Sequence, residues 1–209
     1  VKATTQSADI IVLPVTNRAK TIEVVKRVKK TVEAKLTYLF DGLAENAADA
    51  LFEEMYGGDE QDILTQHFNM TRALKVRSAV YRESYSALMN HGWVNLLNQL
   101  DQPALPKPAE DVQLMLKAYA DRNQNHYKIL LEELRQRFSV LAGAELQFHP
   151  MLPSNFYLCF WHATEKLELS HQERCLLVPL YNRFVMDRFG QVLSLSNQSL
   201  AEQGVNPLI

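Results

Sequence analysis

Apolar residues fall at Val25, Val28, Val32, Leu36, Leu39 and Leu43, in alternating steps of three and four, and most positions between them are polar or charged. That spacing lays one buried stripe along a 3.6-residue helix and predicts helix from about residue 18 to 40, with Thr16 or Asn17 placed to cap it. Gly42 is suited to bend this helix rather than end it. A second helix follows through "LAENAADALFEEMY" and stops at Gly57-Gly58, a pair suited to a left-handed cap. Asp59 caps a third run, with Ile63, His67, Met70, Leu74, Tyr81, Tyr85 and Leu88 on its stripe, which predicts helix to about residue 89. A fourth is marked by Val112, Met115, Tyr119, Tyr127, Leu130, Leu134 and Leu141, and Gly143 closes it.

Between the third and fourth runs lies "DQPALPKPAED", where three prolines in six residues forbid helix and favour a stiff extended connector. "AELQFHPMLPSN" reads as a loop, because Pro150 and Pro153 disfavour helix in the residues before them. Phe156, Cys159, Phe160, Ala163 and Leu167 share one face of a helix from about 153 to 167. "SHQE" at 170 to 173 is a capping box that starts a new helix bearing Leu177, Leu180, Tyr181, Phe184 and Val185, with Pro179 late enough to kink it. A last helix covers roughly 191 to 203 and stops before Gly204. No stretch alternates as a strand would, and no segment repeats. The expected fold is therefore an all-α bundle of about seven helices, some long. Residues 1–17 are an extended or flexible lead, residues 18–209 the helical domain, and the connector at 101–109 a candidate sub-boundary.

Composition narrows the function classes. At 209 residues, 47% hydrophobic and 22% charged, the chain has the balance of a soluble globular protein with a proper core. Seven glycines leave little material for phosphate-cradling loops. Two cysteines cannot build a disulfide framework, so a reducing, cytoplasmic setting is expected. The longest apolar run, "IIVLPV" at 10 to 15, is too short to span a bilayer. Val1 in place of methionine points to an excised piece or a processed chain.

Three blocks carry a resemblance. "LFDGLAENAADALFEEM" and "QHFNMTRALKVR" hold Asp49, Ala50, Leu51, Phe52, Phe68, Met70, Arg72, Lys75 and Arg77. "LLEELRQRFSVLAG" is the second, and "HPMLPSNFYLCFWHATEKLEL" through "LYNRFVMDRFGQVLSLSNQSLAEQGVNP" the third. In order and spacing these are similar to the bacterial domain of unknown function 1631 family, from about residue 36 onward. The resemblance implies the N-terminal helical portion of a longer bacterial protein and no established activity. A nucleoside phosphorylase label carried by some members finds no support, since no glycine-rich phosphate loop is present. Two positions depart from the family pattern: His149 stands where Asn is expected, and Asn182 where an Asp precedes Arg183. An ion pair between that Asp and a neighbouring arginine is not expected at Asn182, which carries no charge.

The candidate chemistry is sparse. Cys159, His162, His171 and Cys175 have ligand-type spacing, but a turn near residue 169 leaves Cys159 and His171 about seven residues apart along the hairpin, roughly 10 Å. Four zinc ligands must converge within about 4 Å of one another, so a core cysteine and surface histidines are the expectation and no cofactor is implied. Glu168 and His171 make one E-x-x-H pair, where a di-iron centre needs two. Asp41, Glu45, Asp49 and Glu53 recur every four residues as an acidic ridge without evident counter-charge. Between Arg18 and Lys35 there are seven basic and two acidic residues, with Lys26, Arg27, Lys29 and Lys30 mostly off the valine stripe. That helix would attract phosphate-bearing or acidic partners, including the acidic ridge of a second copy.

The expectation is a non-enzymatic regulatory or scaffolding domain of a bacterial cytosolic protein acting through protein contacts or self-association. The alternatives are a nucleotide or nucleic-acid binding module using helix 18–35, and a metal-dependent enzyme.

Overall fold

A computed structural model of the protein describes residues 18–53 and 60–207. These form α1 (Arg18–Glu53), α2 (Glu60–Val76), α3 (Ser78–Leu97), α4 (Glu110–His126), α5 (Lys128–Ala142), α6 (Pro153–Ala163), α7 (His171–Phe184) and α8 (Phe189–Glu202). Two short 3₁₀ turns, Thr164–Leu167 and Met186–Arg188, complete the helical content, and no strand occurs among the described residues. The all-α class is as expected. The lead 1–17, the Gly57-Gly58 cap and the Asp59 cap lie outside the described residues.

Helix boundaries differ from the expectation in three places. The first two predicted helices are one: α1 runs through Gly42 for 36 residues, about 54 Å. Leu39, Phe40, Leu43, Ala47, Ala50 and Leu51 are all buried, so continuous burial outweighs the single glycine. The other two long runs are each interrupted by one residue, Arg77 (φ −105°, ψ 12°) and Tyr127 (φ −102°, ψ 20°). Neither position carries glycine or proline, and both keep helical hydrogen bonds, Arg77 N to Ala73 O and Tyr127 N to Asn123 O, each at 2.9 Å. Arg77 reaches out to Glu168. The Tyr127 ring turns inward, its hydroxyl 3.0 Å from the carbonyls of both Met186 and Asp187. Gly190 admits that ring, since a Cβ there would approach Tyr127 Cε1 to 3.0 Å.

Long α1 packs on α8, α3, α2 and α7, while α6 lies between α3 and α4, and α5 rests on α8. A single hydrophobic cluster runs from Val24 to Val205, on both sides of the connector. Its centre is aromatic: Phe160 stacks on Tyr181 at 4.0 Å, Phe40 meets Tyr85 edge-on at 4.7 Å, and the Tyr85 and Tyr181 hydroxyls are 2.9 Å apart. The stripe of α4 is rotated from the expected one: Val112, Leu116, Ala120 and Asn123 are buried, and Met115 and Tyr119 only half-buried.

Asn123 turns inward because it has partners there. Its amide is 2.9 Å from Asn182 Oδ1, which also accepts from Tyr157 Oη at 2.7 Å, and Asn182 Nδ2 donates to Asp187 Oδ1 at 3.0 Å. This network ties α4 to α6, α7 and the turn after it. Asn182 therefore has a role that an aspartate could not fill, because a carboxylate has no proton to give Asp187. The capping box at the start of α7 is present, Ser170 accepting from Glu173 N at 3.2 Å and Glu173 accepting from Ser170 N at 2.8 Å.

Candidate functional site

The four ligand-type residues do not converge. Cys159 is fully buried in the α6 core face, where burial pushes its thiol well above the usual range. His162 Nε2 lies 3.0 Å from Pro106 O; a carbonyl only accepts, so this nitrogen carries the proton. His171 Nε2 lies 3.2 Å from Asp111 Oδ2 and 3.7 Å from Cys175 Sγ. One nitrogen cannot donate to the carboxylate and also serve as base to the thiol, and burial raises the Cys175 pKa as well. Among the described residues, no group of three His, Cys, Asp or Glu side chains is placed to hold a metal ion. Glu168 pairs with Arg77 and stands apart from His171 across the Ser170 cap.

Most of the charges singled out in the sequence have local partners. Arg27 pairs with Glu23 at 2.5 Å, and Lys29 Nζ lies 2.8 Å from Asn90 Oδ1 and 3.7 Å from Glu33. Lys26 and Lys30 are exposed and make no ion pair among the described residues; Lys30, Lys35, Tyr38 and Leu195 line a shallow depression between α1 and α8. The acidic ridge is not without counter-charge, contrary to its appearance in the sequence. Arg82 of α3 binds Asp41, and Arg183 of α7 binds Glu53 at 3.0 Å, because packing brings other helices alongside α1. Glu45 and Asp49 remain exposed.

A binding surface forms where no motif announced one. At the end of α3, Gly92 lets the helix approach the loop before α6 so closely that a Cβ would sit 3.2 Å from both Pro150 Cβ and Asn155 Nδ2. Gln99 then takes a left-handed φ of 58°, and Leu100 N returns to Asn95 O at 2.9 Å, which closes the helix. The proline-rich connector leaves from there as a strap. Asp101 holds its start by accepting from the amides of Gln147 and Phe148, both at 2.7 Å, and His162 holds Pro106. Leu105 plugs into the core between these two attachments.

Strap, α3, α4 and α6 together frame a groove of about 440 Å³. Its floor is apolar, with Leu105, Leu116, Ala120, Leu152 and Leu158, and Phe148 stands at its side. Along α4, Gln113, Leu116, Lys117, Ala120, Asp121 and Gln124 face it in steps of three, one and three, so one helical face lines the groove for three turns. Lys117 is paired with Asp121. His149 contributes a neutral wall: burial, and then the Arg135 charge, lowers its pKa to about 3. Its ring lies 5.4 Å from Phe138, and its Nδ1 is buried without a partner among the described residues.

Sequence reasoning missed this surface because glutamine and asparagine on a helix look like ordinary solvent-facing residues. The available signal was the pairing of a rigid proline strap with uncharged polar positions on the flank of an apolar stripe.

A family model described as "Protein of unknown function (DUF1631) N-terminal domain" matches residues 20–204, so the chain belongs to that family. No curated protein and no solved structure matches it.

Proposed function

We propose that this member of the DUF1631 family is a non-enzymatic regulatory or scaffolding domain that works by holding another polypeptide, with the groove between α3, the strap, α4 and α6 as its docking surface. The observation that supports this most is the groove itself. It is apolar at the base, rich in hydrogen-bonding groups and poor in net charge, and its strap is held at Asp101 and Pro106. A site of that size and lining suits a ligand that buries apolar groups while a few polar contacts fix its orientation.

Reaction chemistry has less support, since the histidines nearest the groove act as wall and strap pins. Nucleic-acid binding through α1 also has less support, because Arg27 and Lys29 are engaged with neighbours. The two thiols are free, which fits the reducing cytosol in which we place the domain.

A phage-displayed library of random twelve-residue peptides, panned on the immobilised domain, tests the reading. Enriched peptides should share an apolar core. They should lose at least tenfold in affinity for Gln124→Trp or Ser154→Trp, both at exposed groove-lining positions, with the melting temperature unchanged. A library that yields no binder, or binders indifferent to both groove-filling variants, would overturn it.

A further inference from the structure

The groove's polar groups are of one kind. Asn95 and Gln102 stand at the α3 and strap side, Gln113 and Gln124 on α4, and Asn155 on α6. Asn155 spends its amide nitrogen on Pro150 O at 3.0 Å, and Asn95 spends its own on Gln102 O at 3.4 Å, so in both the carboxamide oxygen has no partner among the described residues. The side chains of Gln102, Gln113 and Gln124 make no hydrogen bond among the described residues, which leaves both donor and acceptor free. None of these atoms is sealed from solvent; the buried orphan atom in the groove lining is His149 Nδ1.

A primary carboxamide carries an N–H donor and a C=O acceptor in one plane, the same pair that a peptide group presents. A polypeptide in extended conformation exposes those groups along both edges. A helix has closed all but its terminal four N–H and four C=O groups on itself, so a row of carboxamides would find little on it to bind. Bidentate phosphate recognition uses guanidinium forks, and the groove lining contains no arginine and a single lysine outside the Lys117–Asp121 pair. Of its three charged side chains, Lys117 and Asp121 neutralise each other and Lys107 makes no ion pair among the described residues, which complements a segment carrying little charge.

Resting on the reading of the groove as a docking surface, we propose that its occupant is an extended, uncharged segment of a partner protein, held along its backbone by the carboxamides of Asn95, Gln113, Gln124 and Asn155. Gln113 and Gln124 are eleven residues apart on α4, about 16 Å along the helix axis. At about 3.3 Å per residue, that distance takes five residues of extended chain. Alternate side chains then point to the floor formed by Leu105, Leu116, Ala120, Leu152 and Leu158, so specificity is for apolar residues at every second position. The backbone contacts are indifferent to side-chain identity, and the site therefore reads a pattern of apolar residues in an open chain rather than one fixed sequence.

Three probes separate this occupant from others: a free apolar heptapeptide taken from the enriched display sequences, the same peptide N-methylated at alternate backbone nitrogens, and the same side chains carried on a hydrocarbon-stapled helix. By fluorescence anisotropy, the free heptapeptide should bind the full chain. N-methylation on the face toward α4 should weaken it at least tenfold, and the stapled helix should bind at least tenfold more weakly than the free peptide. Gln113→Leu with Gln124→Leu should weaken the free heptapeptide tenfold or more and leave the methylated one within twofold. If methylation changes affinity less than twofold in both registers, the groove is an apolar sink and the inference falls; this arm needs no variant protein. If the stapled helix binds more tightly than the free peptide, the inference falls while the docking-surface reading stands. If no probe binds, that reading falls with it.

Discussion

Along α1, Arg27 closes on Glu23 and Lys29 on Asn90 and Glu33, whereas along α4 Gln113 and Gln124 have no side-chain partner among the described residues and stand above an apolar floor. Both helices show polar residues on one face, but the charged face satisfies much of itself and the carboxamide face does not. A charge in a helix-rich protein has opposite charges within a turn or on the neighbouring helix, and the field is long-ranged enough to recruit them. A carboxamide makes only short, directional bonds and is left open wherever no group happens to align. Charge density along a sequence is therefore a weak pointer to a binding surface in such a bundle. The exposed pairs themselves contribute little, about 0 to 1 kcal/mol each.

The contrast is broken most forcefully through the polar network behind the groove. Asn182→Leu removes the partner of Asn123 and Tyr157 and leaves Asp187 without its donor, and it should destabilise the fold by about 3 kcal/mol in urea unfolding. A loss below about 0.5 kcal/mol would mean that the network does not hold α4 as the groove wall. His149 sharpens the contrast from the other side, as a polar group kept neutral by burial. Its folded pKa, lowered to about 3, lies below the unfolded value near 6.5, so the unfolded chain takes up a proton first. Stability should thus be full above about pH 6.5 and fall as pH drops toward 3, by about 1.4 kcal/mol per unit at most. His149→Phe should lose that slope and gain about 1 kcal/mol at pH 7 from removal of the unpartnered Nδ1, as read by melting curves from pH 7 to 4. Equal slopes in the two proteins would contradict the assignment. The smallest effect is expected where the sequence looked richest. Lys26→Glu with Lys30→Glu should change stability by less than about 0.5 kcal/mol and heptapeptide affinity by less than twofold. A larger drop in affinity would make the α1 face part of the docking surface.

How far the chain could be read in advance depends on the range of the interaction concerned. The stripe from Val25 to Leu43, the aromatic face of α6 and the Ser170 capping box are local patterns, set by residues within one or two turns, and each is found as expected. Arg77 and Tyr127 interrupt helices without any local signal, and the groups that engage them, Glu168 and the Met186 and Asp187 carbonyls, are 59 to 91 residues away. The acidic ridge was misread for the same reason: Arg82 and Arg183 reach Asp41 and Glu53 from other helices. The hairpin offset that separates Cys159 from His171 could be read in advance as well, since helical rise is local geometry.

The amino-acid sequence by itself determined that this protein is a bundle of amphipathic helices with a proline-rich crossing between α3 and α4, because periodicity, caps and prolines act over a few residues. Only the tertiary structure decided what that crossing does. Asp101 and His162 fasten it to the loop before α6 and to α6 itself, and carboxamides from sequence-distant segments come to share one groove. Hydrogen bonds of about 3 Å between groups tens of residues apart leave no trace in periodicity, and they turn a linker into a wall.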